Sequence, residues 1–192
     1  ITNSGFLFSI GFCFLPSESK EDFIWAFQCF KEIGINPAAV IMDGDQAQKN
    51  VVGEVFSYAT TPLCILHVNQ CVLAKCKSTI GNEDWPEFEA AWRKIIQAPT
   101  VDQLNQDWHD FQNKYSTPKA QPCITYLKSE WLKPGQRERL VEAWTNQHRH
   151  FGIRTASRVE GAHAYIKRYL GGKKSKGNLY SSWIRIEAAI IN

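Results

Sequence analysis

The hydrophobic pattern of this chain changes period near residue 80, and that switch constrains the fold more than any other feature. Upstream of it, short apolar runs alternate with stretches of helical spacing. Residues 6–14 are rich in Phe and Ile, too short for a helix and suited to a central strand. Over 21–33 the apolar positions Phe23, Ile24, Ala26, Phe27, Phe30 and Ile33 recur at helical spacing. Pro37 breaks that helix, and 39–42 (AVIM) reads as a short buried strand ending at Asp43. A second helix is expected over 46–56, another short strand over 63–66 and a third helix over 68–77. Strands alternating with helices predict an α/β fold with parallel pairings.

Downstream the signal is different. Residues 85–144 show no strand pattern, only helical ones: PEFEAAWRKIIQA, VDQLNQDWHDFQNKY and the surroundings of GQRERLVEAWTNQH. This block holds Trp85, Trp92, Trp108, Trp131 and Trp144 of the seven tryptophans, which are expected to pin helices to one another. A helix over 157–170, a basic Gly-rich loop over 171–177 and an apolar helix over 181–191 complete the chain. The organisation expected is 1–80 as the N-terminal part of an α/β core, 81–150 as a helical insertion and 151–192 as C-terminal helices of that core.

A length of 192 residues allows a sizeable core in one domain with an insertion, or in two small ones. No stretch is long and apolar enough to span a bilayer, and 5–15 lacks the basic start and small-residue cleavage site of a signal peptide. No membrane partner is therefore expected. The six cysteines are scattered through apolar or helical contexts, a pattern that reads as reduced thiols in an intracellular protein rather than a disulfide framework. The net charge of +3 is mild, but the positive charge gathers near the C-terminus. The chain opens without Met, which suggests a piece of something longer.

Three places carry residues with chemistry. Asp43 ends a strand-like run, where an open α/β sheet delivers its functional groups, and a carboxylate there is a hard oxygen ligand suited to Mg²⁺. The same residues also read as a turn at Asp43-Gly44 with Asp45 capping the next helix, and for Asp45 capping is preferred. Glu160 lies in RTASRVEGAHAYIKRYL, where Ser157-x-x-Glu160 has capping-box spacing. His163 and Lys167 share its helical face, so Glu160 reads equally as a metal ligand among phosphate-binding side chains. The third place is CILHVNQCVLAKC, with Cys64, His67, Cys71 and Cys76. A zinc site needs four such ligands, usually paired across a turn, and Cys71 and Cys76 read better as small core residues. Around Glu160 the only acid between Arg149 and Lys176 is Glu160 itself, while Arg154, Arg158, Lys167, Arg168, Lys173 and Lys174 supply positive charge that fits phosphate contacts.

Taken in order, FLFSIGFCFLPSESKEDFIWAF, VIMDGDQAQKNVV, LCILHVNQCVLAKCK and EAWTNQHRHFGIRTASRVEGAHAYIKRYL resemble the Mutator-like element (MULE) transposase domain across nearly the whole chain. The resemblance implies a ribonuclease H-like mixed sheet with helices, interrupted by an all-helical insertion, with the first strand or strands missing here. It implies an Asp-Asp-Glu triad holding two divalent ions, Mg²⁺ or Mn²⁺, for cut-and-paste DNA cleavage and strand transfer by two-metal phosphoryl transfer. The second Asp maps to Asp43 and the Glu to Glu160; Cys64 and His67 are the family's C-x-x-H pair. The first Asp of the family precedes the Phe-rich run, so this fragment alone is expected to be inactive. Cys71 departs from the Asn common among relatives. The implied partner is DNA, contacted by Arg158, His163, Lys167, Arg168, Lys173 and Lys174, with a homo-oligomer expected for the full-length protein and a nuclear location. The alternative reading is a domesticated DNA-binding transcription regulator without catalysis.

Overall fold

The computed structural model describes residues 11, 13–17, 19–44, 46–148, 152–155, 161, 164–166, 168–170 and 178–191. The chain divides into two compact units, Cys13–Thr155 and the pair of segments Ile1–Phe12 with Ala156–Asn192.

The larger unit begins with α1 (Lys20–Glu32). Ser19 starts it by accepting a hydrogen bond from the Asp22 amide at 3.1 Å, while the Ser17 hydroxyl donates to the Asp22 carboxylate at 2.5 Å. Glu21 and Asp22 lie in the first turn and Lys31 in the last, the arrangement the helix dipole favours. Lys31 also reaches across to the end of α2 (Gln46–Val55), donating to the Val55 carbonyl at 2.8 Å. Between the two helices lies a small core of Met42, Val51, Val52, Val55 and Phe56, against which Phe23, Ile24 and Phe27 pack. The Phe27 and Phe56 rings are 5.8 Å apart.

A second, larger core belongs to the helical block. α3 (Ile65–Ile80) buries Val68, Val72, Cys76 and Ile80, a four-residue spacing that makes one continuous stripe. α4 (Trp85–Ile96) starts with Pro86 in its first turn and buries Trp85, Phe88, Trp92, Ile95 and Ile96. α5 (Val101–Lys114) is capped by Thr100, whose hydroxyl accepts from the Gln103 amide at 3.2 Å. Phe88 meets Phe111 at 5.1 Å and Tyr115 at 4.9 Å, so α4 and α5 are joined by an aromatic cluster. Asp107, 4% exposed, accepts from Gln103 at 2.8 Å and from Lys94 at 2.7 Å, so its buried charge is compensated. The block continues through α6 (Gln121–Tyr126), a π-helical turn (Leu127–Trp131), α7 (Arg137–Leu140) and α8 (Glu142–Thr145).

Trp92 pins α4 to α3. Trp92 is fully buried and its indole N–H donates to Asn69 on α3 at 3.2 Å; Trp131 donates to the Tyr126 hydroxyl at 3.2 Å. Trp108, Trp131 and Trp144 pack half-buried against the same core.

The described residues do not form the expected ribonuclease H-like α/β sheet. Among the described residues there is no strand and no sheet, only two isolated parallel bridges, Ala39 with Thr60 and Met42 with Leu63. The expected strand over 6–14 lies mostly outside the described residues. The other two fail for identifiable reasons. Val40 donates to Thr60 at 2.8 Å and Met42 to Pro62 at 3.2 Å, but Pro62 has no N–H to return to Val40, so the pairing breaks in two. The apolar run 63–66 is then cut short because α3 begins at Ile65.

In the other unit, residues 161, 164–166 and 168–169 are helical. α9 (Leu179–Ile191) starts at Asn178, whose side-chain oxygen accepts from the Ser181 amide at 2.9 Å. No helix among the described residues is long and apolar enough to cross a membrane.

Candidate functional site

The two bridges place Asp43 and Cys64 at one end of a short backbone pairing. Cys64 donates its amide to the Met42 carbonyl at 2.8 Å, and Asp43 is the next residue in the chain. Asp43 is exposed. Immediately after it the backbone turns through Gly44 at φ +108°, a conformation that L side chains rarely adopt. A Cβ on Gly44 would also stand 3.3 Å from a Leu63 methyl, so the turn is doubly specific to glycine.

On the other strand-like segment, Cys64 is buried and precedes the first turn of α3. His67, half-buried, lies one turn in, and its Nε2 is 3.5 Å from the Cys71 sulfur one turn further on. That is an ordinary i, i+4 contact along a helix. Among the described residues no three His, Cys, Asp or Glu side chains converge as metal ligands would, so nothing there completes a zinc set around Cys64 and His67. All six cysteines are free thiols. Cys76 and Cys123 are buried together, and burial pushes the Cys76 thiol up, out of the reactive range.

Two arginines hold this segment from the far side: Arg139, which no motif singles out, and Arg154, which the sequence groups with the phosphate-contacting cluster but whose guanidinium is engaged within the protein. The Arg139 carbonyl accepts from the Leu63 amide at 2.9 Å, and the Arg139 Nε donates to the Thr61 carbonyl at 2.6 Å. The Arg154 carbonyl accepts from the Ile65 amide at 2.9 Å, while its guanidinium pairs with Glu142 at 2.6 Å and also donates to the Leu140 carbonyl. Burial holds both guanidinium pKa values below the usual arginine range, and for Arg154 the Glu142 carboxylate opposes that shift. Thus 60–65 is held between 38–42 on one side and the end of the helical block on the other. No local pattern marks Arg139, because its role exists only once α7 has docked.

The remaining sequence-derived site residues fall differently. Glu160, Arg158, His163, Lys167, Lys173 and Lys174 lie outside the described residues. Arg168 is exposed, with its guanidinium 5.3 Å from the centre of the Tyr165 ring, and the Tyr165 and Tyr169 hydroxyls are 3.0 Å apart.

No curated protein matches the chain. Residues 1–71 match the family model of the MULE transposase domain, a stretch that takes in α1, α2, both bridges, Asp43, Cys64, His67 and Cys71. Over those first 71 of its 192 residues the chain is similar to the MULE transposase domain.

Proposed function

We propose that the chain is the catalytic part of a DNA transposase that cuts and joins DNA strands with the help of divalent ions, acting in the nucleus. The observation that supports this best is Asp43. Within the matched stretch it stands exposed, at the end of a backbone pairing and before a turn that only glycine makes easily. An exposed carboxylate on such a turn is a hard oxygen donor that fits Mg²⁺ or Mn²⁺. Glu160 would join it in holding the ions. When bound, such ions supply charge stabilisation for the attacking and leaving oxygens of a phosphoryl transfer.

The chain's own side chains then bind and orient the DNA. Arg158, His163, Lys167, Arg168, Lys173 and Lys174 would neutralise backbone phosphates without reading bases, so their contribution falls with rising salt. Joining requires two DNA ends in one complex, a task suited to a homo-oligomer of the full-length protein.

Strand transfer by the full-length protein tests this reading. Asp43→Ala and Glu160→Ala each remove a carboxylate donor, and strand joining is expected to be abolished while DNA binding persists. Joining at the unaltered rate by either variant refutes the assignment of that residue. An unaltered protein that binds ends and joins none supports the regulator instead.

A further inference from the structure

Arg139 grips the chain on both sides of Pro62. Its Nε donates to the Thr61 carbonyl at 2.6 Å, and its own carbonyl accepts from the Leu63 amide at 2.9 Å. From there the bonds run on towards Asp43: the Pro62 carbonyl accepts from Met42 at 3.2 Å, and the Met42 carbonyl accepts from Cys64 at 2.8 Å. Pro62 weakens the segment by withholding a donor, and Arg139 supplies a hold from the opposite side.

Stability alone does not call for an arginine there. The side chain is 8% exposed, its Nη1 donates to Gln136 at 3.2 Å, and its Nη2 has no protein partner. Burial holds its pKa below the usual arginine range, and among the described residues no carboxylate forms an ion pair with it. A buried cation without a carboxylate is expensive to desolvate, and an apolar side chain of similar volume often replaces such a group at little cost. What the planar guanidinium offers instead is a fixed direction for its donors.

We propose that Arg139 is a positioning residue for Asp43, fixing the Thr61–Cys64 backbone and, through it, the Met42–Asp43 turn. The inference rests on the reading of Asp43 as a metal-binding carboxylate. It also gives the helical block a second task, because α7 then sets the geometry of a carboxylate more than ninety residues earlier.

Amide exchange and Mn²⁺ broadening, both followed by NMR on the 192-residue chain, test it. In Arg139→Met the Met42, Leu63 and Cys64 amides should exchange about tenfold faster or more, the size expected for losing a charge-assisted hydrogen bond. Amides of α4 and α5 should keep their rates, and broadening of signals around Asp43 should need several-fold more Mn²⁺. Arg139→Lys, which keeps the charge and one donor, should recover much of the difference, and it serves as the comparison should the methionine variant not fold. Unchanged exchange at those three amides overturns the proposal, and so does acceleration shared equally by α4 and α5. If Mn²⁺ leaves the surroundings of Asp43 unbroadened in the unaltered chain, the metal-binding reading of Asp43 fails, while the amide comparison still decides whether Arg139 holds the segment.

Discussion

At the scale of single residues, the candidate site depends on what immediately flanks Asp43. Gly44 carries the positive φ and also leaves room for the Leu63 side chain. Gly44→Ala is therefore expected to cost about 1–2 kcal/mol from the backbone conformation alone. It should also displace the carboxylate, so strand joining by the full-length protein should fall more than the stability change explains. Denaturant unfolding measures the first effect and a joining assay the second; an alanine variant with unchanged stability would show that the turn tolerates a side chain. The Asp-Gly pair was legible in the sequence as a turn. Its alternative as a metal site was legible only as a residue type in a suitable place.

Among the elements, α1 shows most directly how local chemistry becomes structure. The Ser17 hydroxyl, and with it Ser19, holds the Asp22 carboxyl below its ordinary pKa although the group is exposed. A carboxylate whose folded-state pKa is lowered stabilises the fold above its unfolded pKa, and loses that contribution as pH falls through the folded value. The first turn of α1 should therefore fray below the ordinary carboxylate range. Asp22→Asn should remove that part of the pH dependence, as read from amide exchange across Lys20–Phe23. Equal acid sensitivity in both proteins would place the effect elsewhere. α1, α2, α4, α5 and α9 all begin within two residues of where their spacing predicts, because caps and apolar periodicity are local properties. α3 starts three residues earlier than expected, taking in residues that also suit a strand.

For the larger unit as a whole, two hydrophobic cores meet at one backbone pairing. Met42 belongs to the α1–α2 core, whereas its bridge partner Leu63 belongs to the helical block. Because that seam carries backbone bonds as well as Arg139, the two cores are expected to unfold together. Trp92→Ala, which empties the centre of the larger core, should cost about 3–5 kcal/mol. It should also lower the unfolding midpoint reported by probes in α1–α2 as far as the midpoint reported by probes in the larger core. Two separate transitions would show that the seam does not couple them.

Helices α1, α2, α4, α5 and α9, the tryptophan-centred core and the turn after Asp43 were legible in the sequence, since each follows from spacing or from a residue's own conformational limits. A resemblance to the MULE transposase domain was legible there too, and the family model matches the chain over residues 1–71, short of the segment around Glu160. The expected α/β sheet was not determined there. A run such as AVIM or LCIL becomes a strand only if a partner returns its hydrogen bonds, and here the partner includes Pro62, which returns none. The hold of Arg139 on Thr61 was likewise beyond reach, because it joins residues 78 apart in sequence. Such a contact exists only after the helical block has packed, and no local period records it. How the short segments beside Asp43 are held is therefore settled by packing between distant parts of the chain.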